Sequence, residues 1–273
     1  MEDQFTRTRM LLGGAVDDLW NKRVAVFGVG GVGGYVCEVL ARSGIGTIDI
    51  IDNDQVSISN LNRQIIATHA TVGKDKVQAM KERILSINPD IQVNAHQCFF
   101  LPENADTFHF EEYDYVVDAV DTVAAKISII LKAQAANVPV ISAMGAGNKL
   151  DPTRFKVADI YETEMDRLAK VMRHELKKRG VSHLKVVYSD EKPTAPLFQP
   201  EADAQAADST QEIKAAGSIQ SEDSADSIKA PRRRQTPGSL AFVPAVAGCI
   251  IGGEVVKDLT GVNGTTTMAD VLS

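Results

Sequence analysis

Arg23-Val24-Ala25-Val26-Phe27-Gly28-Val29-Gly30-Gly31-Val32-Gly33 is the stretch on which the reading of this chain turns. A short apolar run predicts a buried strand over Arg23–Phe27, and Gly28-Val29-Gly30-Gly31-Val32-Gly33 follows at once. Amphipathic spacing then predicts a helix over Val32–Ser43, and a second apolar run, Thr47–Ile51, ends on Asp52. A lone GxGxxG says little, but strand before and helix after favour a phosphate-binding turn over glycines that serve only tight helix–sheet packing. There the backbone lets phosphate oxygens approach, and the helix start offers unpaired N–H groups.

The same rhythm continues. Lys74–Asn88 reads as a helix with Val77, Met80, Ile84 and Ile87 on one face. Gln92–Gln97 and Tyr115–Asp118 read as strands, Ala124–Asn137 as a helix and Val138–Ser142 as a strand. Strands alternating with helices predict an α/β, Rossmann-like, mostly parallel sheet with helices on both faces. Beyond Pro152 we expect a strand over Phe155–Tyr161, a helix over Asp166–Gly180 and a short strand over Lys185–Tyr188. Pro200 to about Pro237 is rich in Ala, Asp, Ser, Gln and Glu and should be a mobile loop. Apolar Ser239–Val256, broken by Pro244 and several glycines, predicts a buried helix rather than a membrane span of about 20 clean residues. The expected organisation is one adenylation-type domain over 1–273. Its parts are a nucleotide-binding core (1–150), a substrate-side extension (151–199), a mobile loop (200–237) and a C-terminal helix and tail (238–273).

Composition narrows the class. The chain has 273 residues, 44% hydrophobic and 24% charged, enough for a sizeable core. A net charge of −7 excludes whole-surface attraction to nucleic acid, so such binding must be local. Cys37, Cys98 and Cys249 lie far apart without any CxxC, which supports neither a zinc knuckle nor a disulfide framework. Reduced thiols in a cytoplasmic protein are expected, with Cys249 an inert core residue in its apolar run. No signal peptide is expected, and His69, His96, His109, His174 and His183 show no ligand spacing.

Chemistry gathers around the glycine turn. Asp52, at the end of the second strand, suits the ribose hydroxyls and would repel a 2′-phosphate; the alternative is an ordinary turn aspartate within Asp52-Asn53-Asp54. Arg63, in Asn60-Leu61-Asn62-Arg63-Gln64, and Lys76, in Gly73-Lys74-Asp75-Lys76, divide nucleotide classes. A dehydrogenase needs no such cations here, whereas attack at the α-phosphate of ATP develops charge that they can stabilise. Singly, each could be a solvated surface charge. Asp118 and Asp121 end a strand, and a carboxylate there can hold Mg²⁺ against phosphates. Asp121 is assigned that role, with helix capping as the alternative for either.

As a set, GVGGVG, the Asp52 strand end, SNLNRQ, GKDK and DAVD resemble the ubiquitin-activating-enzyme-like (ThiF, MoeB, HesA) adenylating superfamily, from about Arg9 to Gly147. The resemblance implies Mg-ATP-dependent adenylation of a carboxylate. It implies Asp52 at the ribose, Arg63 and Lys76 at the phosphates, and Asp121 at the metal. Gly28, Gly30, Gly31, Gly33, Asp54, Asn60 and Gln64 complete the nucleotide set. It also implies a homodimer in which Arg9 reaches the other protomer's ATP.

Within the superfamily the chain is most similar to the tRNA threonylcarbamoyladenosine dehydratases. That likeness rests on Ala41–Gly46, Ile87-Asn88-Pro89, Met144–Thr153, Val187-Tyr188-Ser189 and Gly238-Ser239. It implies tRNA carrying threonylcarbamoyladenosine as substrate, activation of its threonyl carboxylate, ring closure by the neighbouring carbamoyl group and release of AMP. Alternatives are an adenylating enzyme for a sulfur-carrier or ubiquitin-like protein, with such a protein or a sulfur-transfer protein as partner, an NAD-dependent oxidoreductase, and an inactive nucleotide-binding adaptor. Protein-activating relatives use a cysteine or two CxxC pairs, which are missing here, and Thr236-Pro237 stands where some relatives carry a cysteine. Basic residues over Asp166–Lys185 and Arg232-Arg233-Arg234 are candidates for gripping tRNA phosphates, or a solvated helix face and a solubilising loop. The loop is expected to fold over the site and exclude water.

Overall fold

A computed structural model describes residues 2–198 and 237–262. The expected mobile loop, Arg232–Arg234 and the tail after Val262 therefore lie outside the described residues, Pro237 excepted. In chain order the elements are α1 (Thr6–Leu12), α2 (Ala15–Leu19), β1 (Arg23–Phe27), α3 (Gly33–Ser43), β2 (Thr47–Ile51), α4 (Lys76–Ile87), β3 (Gln92–His96), β4 (Tyr115–Asp118), α5 (Val123–Ala135), β5 (Val140–Ala143), β6 (Phe155–Asp159), α6 (Arg167–Lys178), β7 (Lys185–Ser189) and α7 (Phe242–Thr260). Short 3-10 turns fill several connections.

The seven strands form one sheet in the order β3-β2-β1-β4-β5-β7-β6. All neighbours run parallel except β6, which returns antiparallel on β7 at the edge. Along β1 the period of two divides the core. Val24 and Val26 face α3, α4 and α7, while Ala25 and Phe27 face α5 and α6. Because both faces are covered, the inner strands β1, β2, β4, β5 and β7 are buried almost throughout, whereas the edge strands β3 and β6 are only partly so.

Helix limits follow local chemistry. Asp166 caps α6 by accepting from Ala169 N at 2.9 Å. Gly44, in the left-handed region, closes α3. α7 lies so close on α3 that a Cβ at Gly248 would meet Val32 O at 2.4 Å and one at Gly252 would meet Val39 Cβ at 2.7 Å. The far end of α7 is held at the amino edge of the sheet. Asp258 accepts from the Tyr115 hydroxyl at 2.6 Å and from Lys185 Nζ at 2.8 Å.

One expectation needs correction. Cys249 is exposed, not core. Only one side of α7 is buried, through Ala247, Gly248, Ile251 and Val255, and Cys249 falls on the other. The expected strand over Phe155–Tyr161 also stops at Asp159, whose side chain caps a 3-10 turn over Ile160–Glu162.

Candidate active site

Strand order reverses between β1 and β4, and ligands of open α/β sheets bind beyond the carboxyl ends of strands at such a switch point. The glycine turn leaves β1 there. Its glycines serve different ends. Gly28 adopts φ +90°, and a Cβ on it would meet Ala119 O at 2.7 Å; a Cβ on Gly33 would strike Gly28 O. Gly31 faces Pro244 of α7 at 3.3 Å and Arg63 Cγ at 3.5 Å. At these three the missing side chain is what lets the turn pack. Only Gly30 has room, its nearest neighbour being Gln64 Nε2 at 3.8 Å. The N–H groups of Gly30, Gly31 and Val32 take no backbone acceptor among the described residues, which leaves a donor cluster at the start of α3.

Asp52 is joined to this turn. Its Oδ2 accepts from Val29 N at 2.7 Å and its Oδ1 from Asp54 N at 2.9 Å. Burial pushes its carboxyl above the usual aspartate value, with the Lys76 charge and the two N–H donors opposing. Each oxygen keeps a lone pair, so hydroxyl donors can still be accepted.

Neither expected phosphate cation stands free. Buried Lys76 donates to Asp54 Oδ2 at 2.6 Å, and Arg63 Nη1 donates to Ser59 O and Asn62 Oδ1, both at 2.9 Å. A buried ammonium needs an anion nearby, and Asp54 supplies it. Asp54, an expected nucleotide contact, here pairs with Lys76. Asn60 Oδ1 accepts from Ser57 N and closes the 3-10 turn Ile58–Asn60, three residues before Arg63. Gln64 is buried, and its Oε1 is an orphaned acceptor. An orphan beside the one open glycine fits a ligand's hydrogen-bond donor or, with the amide turned over, a phosphate oxygen.

The two aspartates after β4 part company. Asp121 is exposed and accepts only from the neighbouring Thr122 hydroxyl, at 3.2 Å. Asp118 is fully buried, accepting from Lys126 Nζ at 3.0 Å and from the Ser142 hydroxyl at 2.5 Å. Neither carboxylate caps α5, whose first residues lack a side-chain cap. The Asp118–Lys126–Ser142 cluster ties β4, α5 and β5 together beneath Asp121. Lys126 was missed, although a lysine interrupting Ala125, Ile127 and Ile129 on an apolar helix was its signal.

Arg9 lies elsewhere, on α1, bonded to Asp3 at 3.2 Å and Asp17 at 3.0 Å. His69 is exposed and joins none of these contacts. Around the carboxyl edge two further joints appear. Asn148 and Gly238 exchange hydrogen bonds, N to O at 2.8 Å and Gly238 N to Asn148 Oδ1 at 2.7 Å, while Asn62 Nδ2 donates to Ser239 O at 3.0 Å. The segment before α7 thereby bridges the loop after β5 and the Arg63 turn. Among the described residues no group of three His, Cys, Asp or Glu could enclose a metal ion. A lone exposed carboxylate suits Mg²⁺ shared with substrate phosphates, since that ion keeps water and takes few protein ligands.

A profile of the ThiF family matches residues 6–272. Over 261 residues the chain is 42% identical to the tRNA threonylcarbamoyladenosine dehydratase of Bacillus subtilis (strain 168), covering 95% of each. The structure of the Escherichia coli tRNA N6-threonylcarbamoyladenosine dehydratase in complex with ATP is similar with a TM-score of 0.73 and 28% identity, over 94% of this chain and 96% of that one. The same enzyme in complex with AMP gives 0.74 and 27%, over 96% and 98%.

Proposed function

This chain belongs to the ThiF family, and from that premise we propose that it catalyses the ATP-dependent cyclising dehydration of N6-threonylcarbamoyladenosine in tRNA. The observation that carries the reading is the donor cluster of Gly30, Gly31 and Val32 beside Asp52, set opposite Asp121 across the switch point. That arrangement supports a triphosphate and ribose site, with Asp121 as the carboxylate that would take Mg²⁺. The full-length likeness to the Bacillus enzyme selects the substrate.

The threonyl carboxylate oxygen bonds to the α-phosphorus of ATP, and the bond to pyrophosphate breaks. The carbamoyl group then attacks the activated carbonyl carbon. AMP departs with the former carboxylate oxygen, a proton is lost, and the net change is removal of one water. Backbone N–H groups of the glycine turn hold phosphate oxygens. Arg63 and Lys76 exchange their internal acceptors for phosphate as charge develops there. Asp121 would hold Mg²⁺, which would neutralise phosphate charge. No enzyme thiol is needed, because the second nucleophile is already in the substrate.

The protein acts as a homodimer in the cytoplasm. Arg9 lies outside its own nucleotide site, and Met10 and Leu11 beside it are 76% and 79% exposed, an apolar step suited to a second copy. Among the described residues no helix is long and apolar enough to cross a membrane.

The test is AMP release from Mg-ATP with and without tRNA bearing threonylcarbamoyladenosine, followed by mass analysis of the nucleosides. We expect tRNA-dependent AMP and a modified base lighter by one water. ATP binding without tRNA-dependent AMP would instead assign a sulfur-carrier protein or another carboxylic acid as substrate.

A further inference from the structure

α6 is amphipathic in an unusual sense. Ala169, Met172 and Leu176 are buried against the core, and the opposite side shows Arg167, Lys170, His174 and Lys177, all exposed. Their spacing of three, four and three residues places them on one stripe. At 1.5 Å per residue the stripe is about 15 Å long.

Most charges around it are already engaged. Asp166 is buried, with Oδ1 on Ala169 N and Oδ2 on Gly145 N at 3.1 Å. Glu175 holds Lys178 at 3.1 Å and Arg179 at 2.7 Å, while Arg173 turns inward to Thr163 O at 2.6 Å. Arg167, Lys170 and Lys177 have no carboxylate partner among the described residues. A protein of net charge −7 thus presents one row of uncompensated cations.

Its position matters as much as its charge. The Asp166–Gly145 bond fixes the start of α6 to the loop after β5, beside the strand that delivers Asp121. The stripe begins at the carboxyl edge of the sheet and runs down its flank.

We propose that this face of α6 is the docking surface for the phosphate backbone of tRNA, laying it along the flank so that the modified base reaches the carboxyl edge. The proposal rests on the substrate reading above. Charge complementarity selects a polyanion. An acidic membrane fits less well, because the apolar side of the helix is already spent on the core.

The experiment uses the full chain and measures AMP formation at saturating Mg-ATP against tRNA concentration, over a series of salt concentrations. The triple variant Arg167→Ala, Lys170→Ala, Lys177→Ala should raise KM for tRNA by about tenfold or more. Its kcat and its KM for ATP should stay near wild type. The dependence of log affinity on log salt should become shallower by roughly two to three, about one for each phosphate no longer neutralised. The charge-preserving variant Arg167→Lys, Lys170→Arg, Lys177→Arg should restore KM, which separates charge from folding. If wild type responds to the modified tRNA and the alanine variant keeps its KM and salt slope, the stripe is overturned alone. A wild type that forms no AMP with that tRNA overturns the substrate reading, and this partner with it.

Discussion

A methyl group added at Gly28 would lie 2.7 Å from Ala119 O, on a residue at φ +90°, whereas at Gly30 the nearest atom is 3.8 Å away. Gly28→Ala should therefore destabilise by about 2 kcal/mol or more and lower the Tm. Gly30→Ala should leave the Tm within a degree or two, by about the ±0.5 kcal/mol typical of unburdened sites, while weakening ATP binding. Melting curves and ATP titrations on both variants check the pair. Asp121→Ala and Arg63→Ala leave the core packing untouched, so each should retain the fold and lose roughly 10²–10³ in AMP formation. Asp52 adds a pH signature. Burial raises its carboxyl above the usual value of 3.8, so on acidification it protonates earlier than an ordinary aspartate. ATP affinity should fall with it, and Asp52→Asn should flatten that fall; a pH series of ATP titrations reads both. Residue types were legible in the sequence, but their pairings were not. Lys76 and Asp54 lie far apart in the chain and meet only because the Gln55–Asp75 bridge brings their segments together.

Strand β2, next to the sheet edge, carries a fully buried carboxylate, Asp49, between β1 and β3. It accepts from Arg23 Nε on β1 at 2.8 Å, from Asn94 on β3 at 3.1 Å and from His96 at 3.0 Å. Burial alone would raise its pKa, but these donors outweigh burial and hold it below the aspartate value of 3.8. A depressed folded pKa gives stability above the unfolded pKa that is lost as pH falls through the folded one. Asp49→Asn should thus lower the Tm at neutral pH, with the gap to wild type closing in acid. Farther along the sheet, Lys126→Met would strand the Asp118 carboxylate and cost about 3–5 kcal/mol, whereas adding Asp118→Asn should recover part of that. Urea unfolding measures both. Elements themselves were largely readable. Strands β1, β2, β4 and β5 stood out as apolar runs because both faces of the sheet are covered there, while edge strand β3 is mostly polar. Helices α1 and α2 escaped notice, since they are short and α1 buries nothing, so no apolar period marked them. The antiparallel return of β6 depends on pairing with β7, which local pattern does not encode.

For the proposed dimer with its contact beside Arg9, Met10→Asp with Leu11→Asp should give a monomer by light scattering that forms no AMP. Arg9→Ala should keep the dimer and lose turnover. Within one chain, α7 is 19 residues, about 28 Å, and reaches from Gly31 of the glycine turn to Tyr115 and Lys185 at the opposite edge. It is the last helix described and yet packs closest on α3, which opens near the start. Synthesis is vectorial, so the ribosome delivers the nucleotide turn long before the Pro244 that closes against it. From Asp121 until Pro244 is made, the growing chain holds every catalytic residue named here without a finished place to bind ATP. A nascent chain stalled ahead of Phe242 would carry the bare apolar flank of α3, the kind of surface that chaperones and proteases meet first.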